Sequence, residues 1–383
     1  MARRATLVVL DSLGIGAMPD ADVWGDAGAD TLGHIAERVP LSIPNLAGMG
    51  IGLIRPLYGV PAPAQPDASW GRAATAGNGK DTVAGHWELA CCRVDERFAV
   101  FEGGFPPEVV AELEHACGTA FLGNVAASGT EIIERLGEEH LTTGLPILYT
   151  SADSVLQLAA HEARVPLDAL YRMCEAAFEV IRRYRVARVI ARPFVGEPGS
   201  FRRTEARRDF ALTPPADTVM DRLLAAGIPT TSIGKVKSIY GDRGFSRGVK
   251  AGNNGTITQA LLDVLDEQHE GFIFANLVDF DMLYGHRRDP KGYAAALETF
   301  DQRLPEIRRR MGPDDILILT ADHGNDPTFH GSDHTREYVP VLMVAPGERH
   351  DLGTRRSLAD VGATVADWLG VRAPQGQSLL EPL

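Results

Sequence analysis

The chain of 383 residues sets 38 Lys and Arg against 51 Asp and Glu, a formal net charge of −13 that argues against a nucleic-acid binder. Hydrophobic residues at 44% and charged residues at 23%, with 40 Gly and 24 Pro, exclude disordered, collagen-like and low-complexity classes, and the length suggests two or three domains. Four cysteines without a C-x-x-C pair are too few for a disulfide scaffold and fit a reducing compartment.

In chain order, the first apolar stretch is 5–10. It stops at Asp11, too short for the core of a signal peptide, and no later run approaches the roughly 18 residues of a membrane helix. A cytoplasmic protein with no membrane contact is expected. The run 6–10 reads as a strand, followed by a strand at 145–149, a helix at 167–184, a strand at 187–191 and a helix at 218–226. A strand at 229–233, a helix at 257–269, a strand at 272–278 and a helix at 293–311 come next, then strands at 316–320 and 339–344 and a helix at 358–369. The strand runs are rich in Val, Ile and Leu, as strands buried on both faces are. Strands alternating with helices predict an α/β protein with a mainly parallel sheet flanked by helices. Pro and Gly cluster at 103–107, 193–199 and 214–215, which predicts a smaller α/β unit, 95–215, inserted into a core built from 1–94 and 216–383.

The unusual polar residues fall at the ends of predicted strands. Asp11 follows 7–10, Asp279 and Asp281 follow 275–278, and Asp322-His323 follow 317–321, at the carboxyl ends where open α/β sheets place their ligands. Taken alone, an Asp after a strand is more often a helix cap or turn residue. Asp11, Asp281, His286, Asp322, His323 and His334 together would require several coincidences to be structural. Three carboxylates and three imidazoles suit two divalent transition ions, Mn²⁺ or Zn²⁺ rather than Ca²⁺. Two dications would turn the crevice from repulsive negative to about +1, which favours a phosphate. Spacing alone does not choose between His330 and His334.

The segment 75–88, T-A-G-N-G-K-D-T-V-A-G-H-W-E, superficially suggests a phosphate-binding loop. It fails in detail, since Asp81 follows Lys80 where Ser or Thr belongs and Ala74 stands where the first Gly should be. A dinucleotide fingerprint at Gly14-Ile15-Gly16 fails at Pro19. The segment can instead present a nucleophile, Thr82, whose hydroxyl two cations would activate. The bland alternative is an N-capping threonine.

These motifs identify a resemblance that spans nearly the whole chain. V-V-L-D-S-L-G-I-G, D-F-D-M-L-Y-G-H, T-A-D-H-G-N-D-P-T and S-D-H-T-R-E resemble the two-metal core of the alkaline phosphatase superfamily. G-K-D-T-V-A-G-H-W-E, Y-T-S-A-D-S-V-L-Q, I-A-R-P-F-V-G-E-P-G-S-F and I-G-K are similar to the prokaryotic phosphopentomutase family within it. The resemblance implies an alkaline-phosphatase-like core with an inserted cap. It implies one metal on Asp11, Asp322 and His323, and another on Asp281, His286 and His334, with Thr82 between them as the phosphate carrier. Asp153, Arg192 and Lys235 would contact the sugar phosphate, with Arg188 and Lys237 close neighbours in sequence. The implied activity interconverts ribose 1-phosphate or 2-deoxyribose 1-phosphate with the 5-phosphate in nucleoside salvage. It would use Mn²⁺ and priming by a sugar bisphosphate such as glucose 1,6-bisphosphate, with small pentose phosphates as the only expected partners. Cys91-Cys92 has no counterpart role. A two-metal phosphatase and a non-catalytic sugar-phosphate sensor are the competing readings; the second has no use for a nucleophile at Thr82.

Overall fold

The computed structural model describes residues 3–151 and 154–380. It divides into two compact units, one of residues 1–96 and 214–383 and one of residues 97–213. Before the second unit come strands β1 (Arg4–Leu10) and β2 (Ser69–Ala73). Within it lie β3 (Leu122–Ala126), β4 (Ile147–Thr150), β5 (Val155–His161), β6 (Arg188–Val195), β7 (Arg202–Arg203) and β8 (Arg208–Ala211). After it come β9 (Thr230–Ile233), β10 (Arg247–Val249), β11 (Gly271–Leu277), β12 (Asp315–Thr320), β13 (Val339–Val344) and β14 (Asp351–Arg355).

In the larger unit the described strands form one sheet in the order β10-β9-β11-β1-β12-β13-β2-β14. β1 sits inside it, parallel to β11 and to β12, and only β13 runs antiparallel to both of its neighbours. Every residue of β1, β11 and β12 is buried, which is why their sequences read as largely apolar runs. Parallel strands place their carboxyl ends on one edge, so the segments after Leu10, Leu277 and Thr320 converge there. At the opposite edge the buried Arg4 guanidinium pairs with Asp315 and donates to the carbonyls of Leu265, Gln268 and Arg310 at 2.6–2.7 Å.

The smaller unit has its own sheet, β3-β4-β5-β6-β7 with β8 also on β6. Helices Pro107–Cys117 and Leu167–Ile181 supply an apolar cluster around Leu113, Leu158, Leu170 and Val189. The helix Gly129–Thr143 supplies a second, around Ile132, Ile147 and Phe194. No described helix is long and apolar enough to cross a membrane. All four cysteines are free thiols. Cys91 is buried, its Sγ donating to Ala359 O at 3.4 Å, and burial pushes its thiol up to about 12.

Candidate metal centre and active site

Asp11 is the first residue after β1 and Asp322 the second after β12. Asp281 lies in a π-helical turn, Phe280–Gly285, just beyond β11. The π turn has a direct consequence: His286 N–H donates to Asp281 O at 3.0 Å, so the two residues share a side and His286 Nε2 lies 3.1 Å from Asp281 Oδ2. His334 is buried, its ring tilted against those of His323 and His286 with centres 4.1 Å and 4.8 Å away. His330, left open by spacing, is exposed and packs on Phe329 instead.

Two overlapping donor sets result. Asp281, His286 and His334 bring ligand atoms within 4.8 Å of one another, and so do Asp11, Asp281 and His323. Asp322 adjoins the second, with Oδ2 3.3 Å from His323 Nε2 and 3.0 Å from His86 Nδ1. The histidines are oriented from behind. Nδ1 of His286 donates to Ser332 O at 2.7 Å, and Nδ1 of His323 to Gly324 O at 3.1 Å, leaving both Nε2 lone pairs in the crevice. The carboxylates are held as well: Asn276 Nδ2 donates to Asp11 Oδ2 at 2.7 Å, Asn325 Nδ2 to Asp281 Oδ1 at 2.8 Å, and Ser12 N to Asp322 Oδ1 at 3.1 Å.

The electrostatics of the cluster bear on what it can hold. Burial, then Asp322 and Asp281, push the Asp11 carboxyl well above its ordinary range. For Asp281 burial also pushes upward, but His334 and His286 outweigh it and hold that carboxyl well below. Burial, reinforced by His334, lowers His323 despite Asp322 beside it. Asp11 Oδ1 is buried and accepts no hydrogen bond. An orphaned carboxylate oxygen among three imidazoles and two further carboxylates fits divalent cations, which would take the place of the protons.

Thr82 opens the helix Thr82–Leu89. The cap is not Thr82 but Asp81, whose Oδ1 accepts from Val83 N at 3.0 Å and Ala84 N at 3.1 Å. The threonine hydroxyl is thereby released to donate to His323 Nε2, 3.1 Å away. The helix approaches the strand end closely, for a side-chain carbon on Gly85 would collide with the Asp322 carbonyl oxygen. His86 lies one turn after Thr82, buried against Phe274, and its Nδ1 is 3.0 Å from Thr82 O.

The sugar-phosphate contacts expected from the motifs are drawn from both units of the chain. Lys235 is exposed on the larger unit, its Nζ 3.6 Å from Sδ of Met282, the neighbour of Asp281. Arg192, on β6 of the smaller unit, is half-buried and donates from Nε to Gln157 Oε1 at 3.0 Å. Burial, then Arg207, lower its pKa. Asp153 lies outside the described residues.

A model described as the metalloenzyme superfamily matches residues 3–373. A phosphopentomutase from Anaeromyxobacter sp. (strain K) is 51% identical over 383 residues, 99% of each chain. One from Caldanaerobacter subterraneus subsp. tengcongensis is 50% identical over 374 residues, 97% of this chain and 95% of its own. The chain belongs to the phosphopentomutase family. Like the phosphopentomutases it matches, it is an enzyme, an isomerase of a metal-dependent superfamily. Among solved structures, PH0037 from Pyrococcus horikoshii superposes with a TM-score of 0.52 at 15% identity, over 97% of this chain and 98% of that one. A phosphoglycerate mutase from Leishmania mexicana does so at 0.51 and 14%, over 99% and 98%. At that identity they show the fold alone, and the alkaline-phosphatase-type α/β core expected from the motifs is the one observed.

Sequence reasoning missed the residues that hold these groups in place. Asn276 had a legible signal, a lone amide in the apolar run 272–278. His86, Glu88, Glu337 and Arg336 gave no sign of their roles, because their partners, backbone and side-chain atoms alike, are brought near only by the fold.

Proposed function

We propose that the chain interconverts ribose 1-phosphate and 2-deoxyribose 1-phosphate with the 5-phosphates in nucleoside salvage, through a phosphothreonine at Thr82 and a bisphosphate intermediate. The observation that carries this reading is the Thr82 hydroxyl, freed from capping and aimed at His323 Nε2 within the carboxylate and imidazole cluster. Asp11, Asp322 and His323 would hold one divalent ion and Asp281, His286 and His334 the other, with Mn²⁺ the preferred metal. When bound, such ions neutralise phosphoryl charge and lower the pKa of a coordinated hydroxyl. The protein's own groups supply the rest. His323, its Nδ1 proton committed to Gly324, offers its single Nε2 lone pair to the ion, and Thr82 Oγ1, 3.1 Å from that nitrogen, would then face the same ion. Phosphate on Thr82 stands at the first position of a helix, where the backbone dipole favours negative charge. Asp153, Arg192 and Lys235 are the groups proposed to bind the sugar phosphate, and a bisphosphate such as glucose 1,6-bisphosphate is proposed to prime the threonine. A cytoplasmic setting accompanies this reading, in keeping with four free thiols.

The test is incubation of the metal-loaded protein with glucose 1,6-bisphosphate, followed by peptide mass spectrometry and an assay with ribose 1-phosphate. One phosphate is expected on the peptide containing Thr82, with pentose 5-phosphate formed and little inorganic phosphate released. Thr82→Ala should abolish both while keeping fold and metal content. Phosphate found only on another side chain would refute the assignment, and stoichiometric phosphate release would make the protein a phosphatase.

A further inference from the structure

The loop leading into Thr82 has no regular secondary structure, yet several of its backbone groups are held by buried side chains. Two of its N–H groups, Ala76 and Gly77, donate to Glu88 Oε1 and Oε2, each at 2.8 Å. Three of its carbonyls accept from Arg336: Thr75 from Nη2 at 3.0 Å, Gly77 from Nη1 at 2.9 Å and Gly79 from Nη1 at 2.7 Å. The remaining N–H donors of this guanidinium, on Nε and Nη2, go to Asp20 at 3.0–3.3 Å. The fork is therefore fully used, and its plane lies over the Trp24 ring, 5.1 Å from the centroid. Lysine, with three donors on a flexible stem, cannot reproduce it. Glu88 is 1% exposed and Arg336 5%.

The chain positions matter as much as the bonds. Arg336 lies two residues after His334, and the last carbonyl it holds, Gly79, lies three before Thr82. A second link runs alongside: Asp26 Oδ2 accepts from Arg336 N at 2.8 Å and from Lys80 Nζ at 3.1 Å, and Lys80 also reaches Asp333 at 3.2 Å.

We propose that Arg336, with Glu88, is a positioning residue for phosphoryl transfer: the two side chains fix the loop 75–81 so that the Thr82 hydroxyl is presented to the crevice in register with the segment carrying His334. The inference rests on the reading of Thr82 as the phosphate carrier. Neither residue touches metal or substrate, so their loss acts through the geometry of Thr82 rather than through the donor set. Misplacement of a reacting group by about 1 Å costs on the order of 100-fold in rate.

The experiment uses the full-length protein and Arg336→Lys, Arg336→Ala and Glu88→Gln. Three readouts are taken: Mn²⁺ affinity by calorimetry, the rate of Thr82 phosphorylation by glucose 1,6-bisphosphate, and kcat with ribose 1-phosphate. Arg336→Lys is expected to fold and to bind Mn²⁺ nearly as wild type does, with phosphorylation and kcat both down by about 100-fold. Glu88→Gln should show the same split more weakly, and added guanidinium ion at millimolar concentration should return part of the rate to Arg336→Ala. A Lys variant that phosphorylates at the wild-type rate would overturn the proposal. So would a rate loss matched by an equal loss of Mn²⁺ affinity, or an Arg336→Lys protein that does not fold, since either makes the residue a support of the metal site or of the fold alone. Wild-type protein that takes up no phosphate at Thr82 is a separate result, which removes the Thr82 reading itself.

Discussion

Glu337 lies between Gly14 and Gly324, where a side-chain carbon on either glycine would collide with its carboxylate. It accepts from Gly16 N at 3.1 Å, Thr31 N at 2.9 Å, Thr31 Oγ1 at 2.6 Å and Thr335 Oγ1 at 2.7 Å, tying the loop after Asp11 to the residue after His334. Burial outweighs these donors and pushes its carboxyl from 4.5 up to about 7. A raised carboxyl binds its proton more tightly in the folded state. Its contribution to stability is complete below pH 4.5 and is lost as pH rises through 7, a change of about 3 kcal/mol for this fully buried group. Urea unfolding of the metal-free protein beside Glu337→Gln checks this. The wild type should lose ground against the variant between pH 4.5 and 7.5, and a constant difference across that range would show that the carboxyl is not shifted. Glu337 also marks the limit of legibility at this scale. Asp11, Asp281, Asp322 and the histidines could be read from the sequence because their chemistry is conspicuous at strand ends. Glu337 lies only three residues beyond His334 and gives no such signal, because its partners are two glycine contacts and two threonines that only the fold assembles.

The helix Thr82–Leu89 sets two opposing effects against each other at Gly85. By helix propensity alone, Gly85→Ala should stabilise by about 1 kcal/mol. The added carbon, however, meets the Asp322 carbonyl, and the colliding atom belongs to the backbone, which has no flexible end to give way. Overpacking of that kind costs about 1–3 kcal/mol, so the variant should be net destabilised. Its Mn²⁺ affinity should fall too, because the collision pushes on the residue that carries Asp322. Thermal unfolding with and without metal checks both; an Ala variant that melts higher and binds Mn²⁺ normally would show that the helix can ride outward freely. The strands differed in how legible they were. β11, β12 and β13 stood out as apolar runs, whereas β2, S-W-G-R-A, alternates buried and half-buried residues with Gly and Arg in place of β-branched side chains. β14, D-L-G-T-R, is an edge strand with a bulge between Asp351 and Gly353. In β5, Gln157 interrupts the apolar pattern, although all seven residues are buried. Such strands are specified by their neighbours across the sheet, which local patterning does not contain.

Each of the two units has its own sheet, and the smaller has its own apolar clusters. If the smaller unit reads the sugar phosphate, replacing residues 97–213 by a short linker should leave a core that binds Mn²⁺ and slowly hydrolyses a small activated phosphate ester. Isomerisation of ribose 1-phosphate should be lost entirely. A shortened core that still interconverts the pentose phosphates at a substantial rate would show that the insertion has no part in recognition.

The place of β1 inside the sheet also governs the order in which the molecule can be made. Arg4 pairs with Gly271 on one side and Asp315 on the other, so β1, made before either neighbour, finds them only roughly 260 to 310 residues later in synthesis. The insertion pairs only within 122–211 and can fold while β1 is still waiting. During that interval Leu7, Val8, Val9 and Leu10, fully buried at the end, are unprotected apolar surface. The nascent chain then carries a finished smaller unit beside a strand whose neighbours are still to be made.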